Sequence, residues 1–132
     1  MTFSSFPTTG AEELPSILFL DDDFEVLKVL QMSLEDSGFA ATIAPTPDEA
    51  ERLIREKEFD LIVCDLIMPG ISGIEFWKKI SSELVNHPPI LFSSGVPLDP
   101  FSADYPRGVA GFFPKPYTVR ELVQKVHSLL LQ

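Results

Sequence analysis

Five short apolar runs alternate along the chain with segments of helical hydrophobic spacing, and this alternation constrains the fold more than any other feature. Each run is short and ends at a polar residue or a proline, as expected for a strand that is buried on both faces. Strands separated by helices favour right-handed crossovers, which give a parallel sheet with helices on both faces. The predicted strands are residues 16–20, 39–44, 59–64, 89–93 and 110–113.

The segments between these runs carry the signals with which helices begin. Thr46 precedes Pro47 and is followed three positions later by Glu49, which predicts an N-cap with a proline at the first helical position. Thr118 and Glu121 repeat the capping spacing before the last segment. The first helical segment is predicted to carry its apolar residues at Val26, Leu27, Leu30 and Leu34.

The segment between the fourth and fifth predicted strands breaks this rhythm. It contains Pro97, Pro100 and Pro106, and a proline inside a helix costs about 3 kcal/mol. The fourth helix is therefore expected to be short or irregular.

Polar and charged residues lie at the ends of four predicted strands. Asp21 and Asp22 follow the first strand, Asp65 follows the third, Ser93 ends the fourth, and Lys115 comes after the fifth. Because ligands of an open parallel sheet bind outside the carboxyl ends of its strands, these side chains are expected to converge.

Two carboxylates about 4 Å apart repel by roughly 4 kcal/mol at an effective dielectric constant of 20, so three of them require a cation. Mg²⁺ fits, since it binds carboxylates and phosphate oxygens.

This set of groups points to phosphoryl transfer onto a carboxylate. Lys115 can neutralise further charge, and the Ser93 hydroxyl can donate a hydrogen bond to an incoming oxyanion. Together with a metal ion they would stabilise the transferring oxygens while a carboxylate acts as nucleophile. Asp23, the third residue of the acidic run, is expected instead to cap the first helix.

Composition and charge limit the partners of the chain. Twenty acidic and ten basic residues among 132 give a net charge of −10, which disfavours direct binding to nucleic acid or to an anionic membrane. No apolar run approaches the roughly 18 to 20 residues of a membrane span. The single cysteine, Cys64, cannot form an internal disulfide and lies in an apolar run, which favours a packing role in a reducing cytoplasm. Residues 1–15 are interpreted as a flexible leader and residues 16–132 as one domain.

Three strings of residues resemble the signatures of response-regulator receiver domains. They are Ile-Leu-Phe-Leu-Asp-Asp-Asp at 17–23, Cys-Asp-Leu-Ile-Met-Pro-Gly-Ile-Ser-Gly at 64–73, and Gly-Phe-Phe-Pro-Lys-Pro-Tyr at 111–117. The resemblance extends over about residues 16–131. It implies a flavodoxin-like (βα)5 fold, in which a doubly wound, five-stranded parallel sheet carries the site.

The resemblance also implies a role for each acidic residue of the site. Asp65 would be the phosphoacceptor and a metal ligand. Asp22 would bind Mg²⁺ directly, Asp21 would assist through water, and the backbone carbonyl of Ile67 would supply another ligand.

The remaining implied roles concern the switch that follows phosphorylation. Ser93 would swing towards the phosphoryl group, and Lys115 would pair with a phosphoryl oxygen, with a cis bond between Lys115 and Pro116. Phe112 resembles the aromatic residue that rotates on the outer face.

The implied function is a Mg²⁺-dependent phosphoacceptor switch of a two-component phosphorelay. Such a domain is regulatory and not an enzyme, and at most it shows weak self-phosphorylation and self-dephosphorylation. Its donor would be a sensor histidine kinase or a histidine phosphotransfer protein, and it would act on a downstream protein partner. The alternative is a pseudo-receiver that binds proteins without being phosphorylated. A phosphatase of the haloacid-dehalogenase kind is disfavoured because Ile67 stands where that family has a general acid. A flavodoxin-like cofactor binder is disfavoured because residues 21–23 are all aspartates and would repel a phosphate.

Overall fold

A computed structural model of the chain describes residues 14–95 and 108–130. Within these ranges the chain forms five strands and four helices. The elements in chain order are β1 (Ser16–Leu20), α1 (Phe24–Asp36), β2 (Ala40–Ala44), α2 (Pro47–Glu56), β3 (Leu61–Asp65), α3 (Gly73–Glu83), β4 (Ile90–Ser94), β5 (Val109–Pro114) and α4 (Val119–Leu130).

The strands form one parallel sheet in the order β2-β1-β3-β4-β5. β3 is central, and all five of its residues are buried, as are all five residues of β4. Strands buried on both faces require helices on both sides of the sheet, which is the doubly wound arrangement expected from the alternating sequence. The predicted α/β fold is thereby confirmed.

Two apolar clusters cover the two faces of the sheet, because successive side chains of a strand point to opposite sides. Leu18 and Ile62 belong to the cluster under α2 and α3, whereas Phe19 and Val63 belong to the cluster under α1 and α4. Burial of this kind stabilises the fold by about 25 cal/mol per Å² of apolar surface. Cys64 is fully buried in the first cluster, and burial raises the pKa of its thiol, which agrees with a packing role.

The helices begin where the sequence predicts. The Thr46 hydroxyl accepts a hydrogen bond from the Glu49 backbone N–H at 3.2 Å, and Pro47 is the first residue of α2. Thr118 and Glu121 exchange two such bonds, at 2.8 and 3.0 Å, and so form a reciprocal cap ahead of α4.

The four apolar residues predicted for the first helical segment all lie in α1, but they are not equally buried. Leu27, Leu30 and Leu34 are buried, whereas Val26 is 38% exposed. The three leucines are spaced by three and four residues and share one stripe of the helix, while Val26 lies about 100° around the axis from Leu27.

Two predictions fall outside the part of the chain that the structure describes. They are the short or irregular fourth helix, in residues 96–107, and most of the leader, in residues 1–13. Among the described helices, none combines the length and the apolar character that crossing a membrane requires.

Candidate functional site

The carboxyl ends of four strands bring the predicted site residues together. Asp65 is the last residue of β3, and its register partner on β4 is Ser93. Asp21 follows β1, which pairs with β3, and Lys115 follows β5, which pairs with β4. Asp21, Asp65 and Ser93 are at most 7% exposed, so the chemistry is concentrated in a nearly buried position.

The acidic cluster has the composition of a site for a hard cation. Asp21, Asp22 and Asp65 each offer a carboxylate oxygen, and these oxygens all lie within 4.8 Å of one another. At that separation two carboxylates repel by about 3 to 4 kcal/mol at an effective dielectric constant of 20. Oxygen ligands of this kind fit Mg²⁺, which is bound by one or two carboxylates and keeps several waters. Exposed Asp22 leaves the cluster open to solvent on one side.

The turn after β1 gives consecutive aspartates different tasks. One carboxylate oxygen of Asp21 accepts a hydrogen bond from the backbone N–H of Asp23 at 2.9 Å. The Asp23 carboxylate accepts from the Val26 N–H at 3.2 Å and caps α1, as predicted. These two hydrogen bonds fix the shape of the turn. The backbone N–H of Asp23 orients the Asp21 carboxylate, while the Asp23 carboxylate caps the N-terminus of α1.

Lys115 is the cation that the structure provides for these acids. Its Nζ lies 3.3 Å from Asp21 Oδ2 and 3.4 Å from Asp65 Oδ2. The Lys115–Pro116 bond is cis, as expected, and the Lys115 N–H donates to the Ser94 carbonyl at 2.8 Å. Burial lowers the pKa of Lys115, but the carboxylates of Asp21 and Asp65 outweigh that effect and the pKa is raised. The ammonium therefore stays charged at neutral pH.

Asp65 responds to the same surroundings in the opposite sense. Burial raises the pKa of its carboxyl and the charge of Asp21 adds to this, while Lys115 and the Ile67 backbone N–H act against it. The net pKa is raised, so the free energy of the ionised form is less favourable than in water. A carboxylate held in this state is more basic than an exposed aspartate.

Ile67 lies next to the acidic cluster through its backbone, and its apolar side chain is exposed. Its N–H lies 3.4 Å from Asp65 Oδ1, a long hydrogen bond, and 58% of the residue is exposed. This contact places the Ile67 backbone N–H beside the Asp65 carboxylate.

A family model described as the response regulator receiver domain matches residues 17–127. The chain belongs to this family.

Relatives of this receiver domain include longer regulators. The transcriptional regulatory protein ResD of Bacillus subtilis is 32% identical over 114 residues, which cover 86% of this chain and 47% of that protein. The probable transcriptional regulator ycf29 of Cyanophora paradoxa is 29% identical over 117 residues, which cover 87% and 56%. The chain therefore spans about half the length of the curated relatives it matches.

Solved receiver structures share its architecture. The receiver domain of the hybrid histidine kinase CckA is 32% identical with a TM-score of 0.72, covering 87% of this chain and 98% of that one. A CheY-like receiver from Methanospirillum hungatei JF-1 is 26% identical with a TM-score of 0.78, covering 89% and 94%. The response regulator TrrA of Thermotoga maritima, solved in complex with Mg(2+)-BeF, is 25% identical with a TM-score of 0.75, covering 89% and 100%.

The outer aromatic of this receiver, Phe112, lies on β5 next to β4. Its ring stacks on that of Phe92, with centroids 5.8 Å apart and planes at 24°. Phe112 is half-buried, whereas Phe92 is fully buried and directly precedes Ser93. A movement of Phe112 would therefore disturb its packing on β4, the strand that carries the Ser93 hydroxyl.

Tyr117 is a neighbour of the site that the sequence analysis did not single out. Burial raises the pKa of its hydroxyl, and its ring packs on Phe113 at a centroid distance of 5.0 Å. With Val26 and Pro116 it lines an open cavity of about 510 Å³ that also touches Asp21 and Lys115. The only indication in the sequence that Tyr117 lies near the site is its position two residues after Lys115. A tyrosine in a loop belongs to no periodic apolar pattern, so its burial cannot be predicted that way.

Proposed function

We propose that this receiver domain is a Mg²⁺-dependent phosphoacceptor switch of a two-component phosphorelay, and that Asp65 takes the phosphoryl group from a phospho-histidine. One observation carries the proposal: the Asp65 carboxylate is nearly buried, within 4.8 Å of Asp21 and Asp22 oxygens and 3.4 Å from an ammonium. The carboxylates of Asp21 and Asp22 beside Asp65 favour binding of a dication, and the ammonium favours binding of an incoming anion.

In the proposed transfer, an Asp65 carboxylate oxygen attacks the phosphorus atom of the donor. A bond forms between this oxygen and phosphorus, while the bond from phosphorus to the imidazole nitrogen breaks and its electron pair stays on the ring. The product is an acyl phosphate. The raised pKa of Asp65, caused mainly by burial, makes its ionised oxygen a better nucleophile than that of an exposed aspartate.

The other side chains have distinct tasks in this scheme. Asp21, Asp22 and Asp65, with the Ile67 carbonyl, would hold Mg²⁺, which when bound neutralises charge on the transferring phosphoryl oxygens. Lys115 would exchange part of its contact with Asp65 for a phosphoryl oxygen, a step that suits a mobile point charge. Ser93, the register partner of Asp65, would donate its hydroxyl to another oxygen.

The signal would leave through the pair of stacked rings. A hydroxyl movement at Ser93 alters β4, on which Phe92 packs against Phe112. Phe112 has no hydroxyl of its own, so packing rather than a side-chain hydrogen bond would govern its movement. We infer a downstream protein partner that reads this surface.

The proposed donor is a sensor histidine kinase or a histidine phosphotransfer protein, and the proposed location is the cytoplasm, where such donors act. The net charge of −10 makes direct contact with nucleic acid or an anionic membrane unfavourable. Catalysis would be limited to weak self-phosphorylation and self-dephosphorylation.

The test is phosphorylation of the full chain by acetyl phosphate and by a phospho-histidine protein, followed by intact-mass measurement. We expect a gain of one phosphate that requires Mg²⁺ and is absent in Asp65→Asn. Asp60→Asn, at the residue directly before the other end of β3, is the matched control and should still be modified. If the wild type gains no phosphate from either donor while Mg²⁺ is present, the pseudo-receiver alternative is correct.

A further inference from the structure

Gly73, the first residue of α3, packs directly on the backbone at the end of β3. Its N–H donates to the Leu66 carbonyl at 2.7 Å, and the residue is buried. A Cβ atom built on Gly73 would lie 2.8 Å from the Asp65 carbonyl oxygen, 3.0 Å from Leu66 Cα and 3.1 Å from Phe92 Cε1. The two shortest contacts are with backbone, so no side-chain rotation can relieve them.

Both partners in this contact are fixed from elsewhere. The backbone after β3 is held by β4, since the Leu66 N–H donates to the Ser93 carbonyl at 2.8 Å. The start of α3 is held by a capping box, in which the Ser72 hydroxyl accepts from the Glu75 N–H at 3.1 Å and Glu75 accepts from the Ser72 N–H at 3.2 Å. Any side chain at position 73 must therefore displace either the end of β3 or the start of α3.

Either displacement reaches the acidic cluster. Asp65 and Ile67 flank Leu66, and the hydrogen bond from Gly73 to Leu66 closes the loop that contains Ile67. The Ile67 N–H in turn lies 3.4 Å from Asp65 Oδ1. Moving Leu66 would thus change the position of one carboxylate and one backbone carbonyl relative to Asp21 and Asp22.

We propose that Gly73 is a positioning residue of the site: its lack of a side chain lets α3 fix the Asp65–Ile67 backbone in the geometry that a bound dication requires. This inference rests on the proposed function for its metal. Gly73 touches neither the metal nor the phosphoryl group and acts only through the backbone of Asp65 and Leu66.

The test compares Mg²⁺ affinity in the wild type, Gly73→Ala and Gly95→Ala by calorimetric titration of the full chain. Loss of an outer support typically weakens metal binding by 10- to 100-fold, and we expect about tenfold or more for Gly73→Ala. Gly95→Ala is the matched control, because among the described residues nothing lies within 4 Å of a Cβ built there and its φ is not left-handed. Equal affinities for all three proteins would overturn the inference.

Two further variants separate positioning from general damage. Val126→Ala weakens the core on the other face of the sheet and should leave Mg²⁺ affinity unchanged, while Gly73→Ala raises the helix propensity of α3 and should still lose affinity. Adding Phe92→Leu to Gly73→Ala removes the one contact that involves a side chain and should not restore affinity. Restoration would show that the ring, not the backbone, is what an added methyl group disturbs.

A measurement without metal keeps this inference apart from the proposed function. In metal-free protein, Gly73→Ala should shift the backbone amide resonances of Asp65, Leu66 and Ile67 more than those of β2. Shifts confined to α3 would overturn the positioning role even if the wild type proves to bind Mg²⁺. A wild type that binds no Mg²⁺ contradicts the proposed function, and the amide shifts still decide whether Gly73 fixes this backbone.

The wild type offers a check that needs no variant. If Gly73 couples α3 to the metal site, Mg²⁺ should slow hydrogen exchange of the Gly73 amide, which donates to Leu66. An exchange rate that is the same with and without saturating Mg²⁺ would count against the coupling.

Discussion

Replacing the proposed phosphoacceptor by its amide, Asp65→Asn, is expected to stabilise the metal-free protein. Asp65 Oδ2 lies 3.4 Å from the Lys115 ammonium, an attraction of about 5 kcal/mol at an effective dielectric constant of 20. Repulsion from Asp21 at up to 4.8 Å opposes this attraction by about 3 to 4 kcal/mol. Repulsion from Asp22 opposes it by only about 1 kcal/mol more, because Asp22 is exposed and water screens its charge. These contributions nearly cancel.

The decisive quantity is then the cost of removing the Asp65 charge from water. Burying an ion costs several kcal/mol, and the residue is only 7% exposed. An amide of the same shape avoids most of that cost, so we expect a gain of about 2 kcal/mol in the free energy of unfolding. For a domain of this size that gain raises Tm by roughly 6 to 10 °C.

The assay is thermal unfolding of both proteins in a chelator and in saturating Mg²⁺. The variant should unfold at the higher temperature in the chelator. Saturating Mg²⁺ should close or reverse the difference in Tm, because Mg²⁺ at 100 times its Kd adds about 2.7 kcal/mol to the protein that retains the full site. Glu58→Gln removes one charge from an exposed position and should change Tm little. If Asp65→Asn melts at or below the wild-type temperature in the chelator, the balance given above is wrong.

The same reasoning fixes the sign of the pH dependence. Burial raises the pKa of Asp65 in the folded protein above its ordinary value near 3.8, so the folded state binds a proton more tightly than the unfolded chain. Stability from this group is present at low pH and is lost as the pH rises through the raised pKa. The advantage of Asp65→Asn should accordingly shrink as the pH is lowered towards 3.8.

Three further predictions concern the metal, the switch and the lifetime of the phosphorylated form. Asp22→Ala should weaken Mg²⁺ binding at least tenfold in a titration, and unchanged affinity would refute its role as a ligand. Phosphorylated Ser93→Ala should lack the spectral changes of the phosphorylated wild type, since the variant lacks the hydroxyl that is proposed to couple phosphorylation to them. Ile67→Asn should lose its phosphate faster than the wild type when decay is followed by intact mass, because an amide can orient a hydrolytic water and an apolar side chain cannot; equal or slower loss contradicts this.

Local chemistry made much of this fold predictable from the sequence. Thr46 and Thr118 cap helices where their spacing to a glutamate indicated, and Asp23 caps α1 rather than joining the acidic cluster. Each of these contacts spans three residues, so the information lies within a few positions of the chain. Helical spacing alone does not decide whether Val26 or Leu27 is buried, because adjacent residues of a helix diverge by about 100° and only packing against the sheet makes the choice.

Features of the site that depend on tertiary packing were harder to predict. The contact between Lys115 and Asp21 joins residues 94 positions apart, and its distance follows from the strand order rather than from any local pattern. Tyr117 escaped notice because its burial depends on Phe113 and the wall of a cavity. Gly73 appeared only as a letter in a motif, since nothing in the sequence reveals how closely a helix approaches a strand.

The position of the charges also explains why the same side chains affect both the chemistry of the site and the free energy of unfolding. Asp21, Asp65 and Lys115 lie at strand ends, where the sheet itself fixes their backbones and where burial is nearly complete for the two acids. Such rigidity would favour the proposed phosphoryl transfer, because the donors and acceptors would need little reorganisation. It also prevents the acids from moving apart, so their repulsion and desolvation reduce the stability of the metal-free domain. A bound cation would relieve that cost, and therefore metal binding, phosphorylation and unfolding are expected to be thermodynamically linked through the same three side chains.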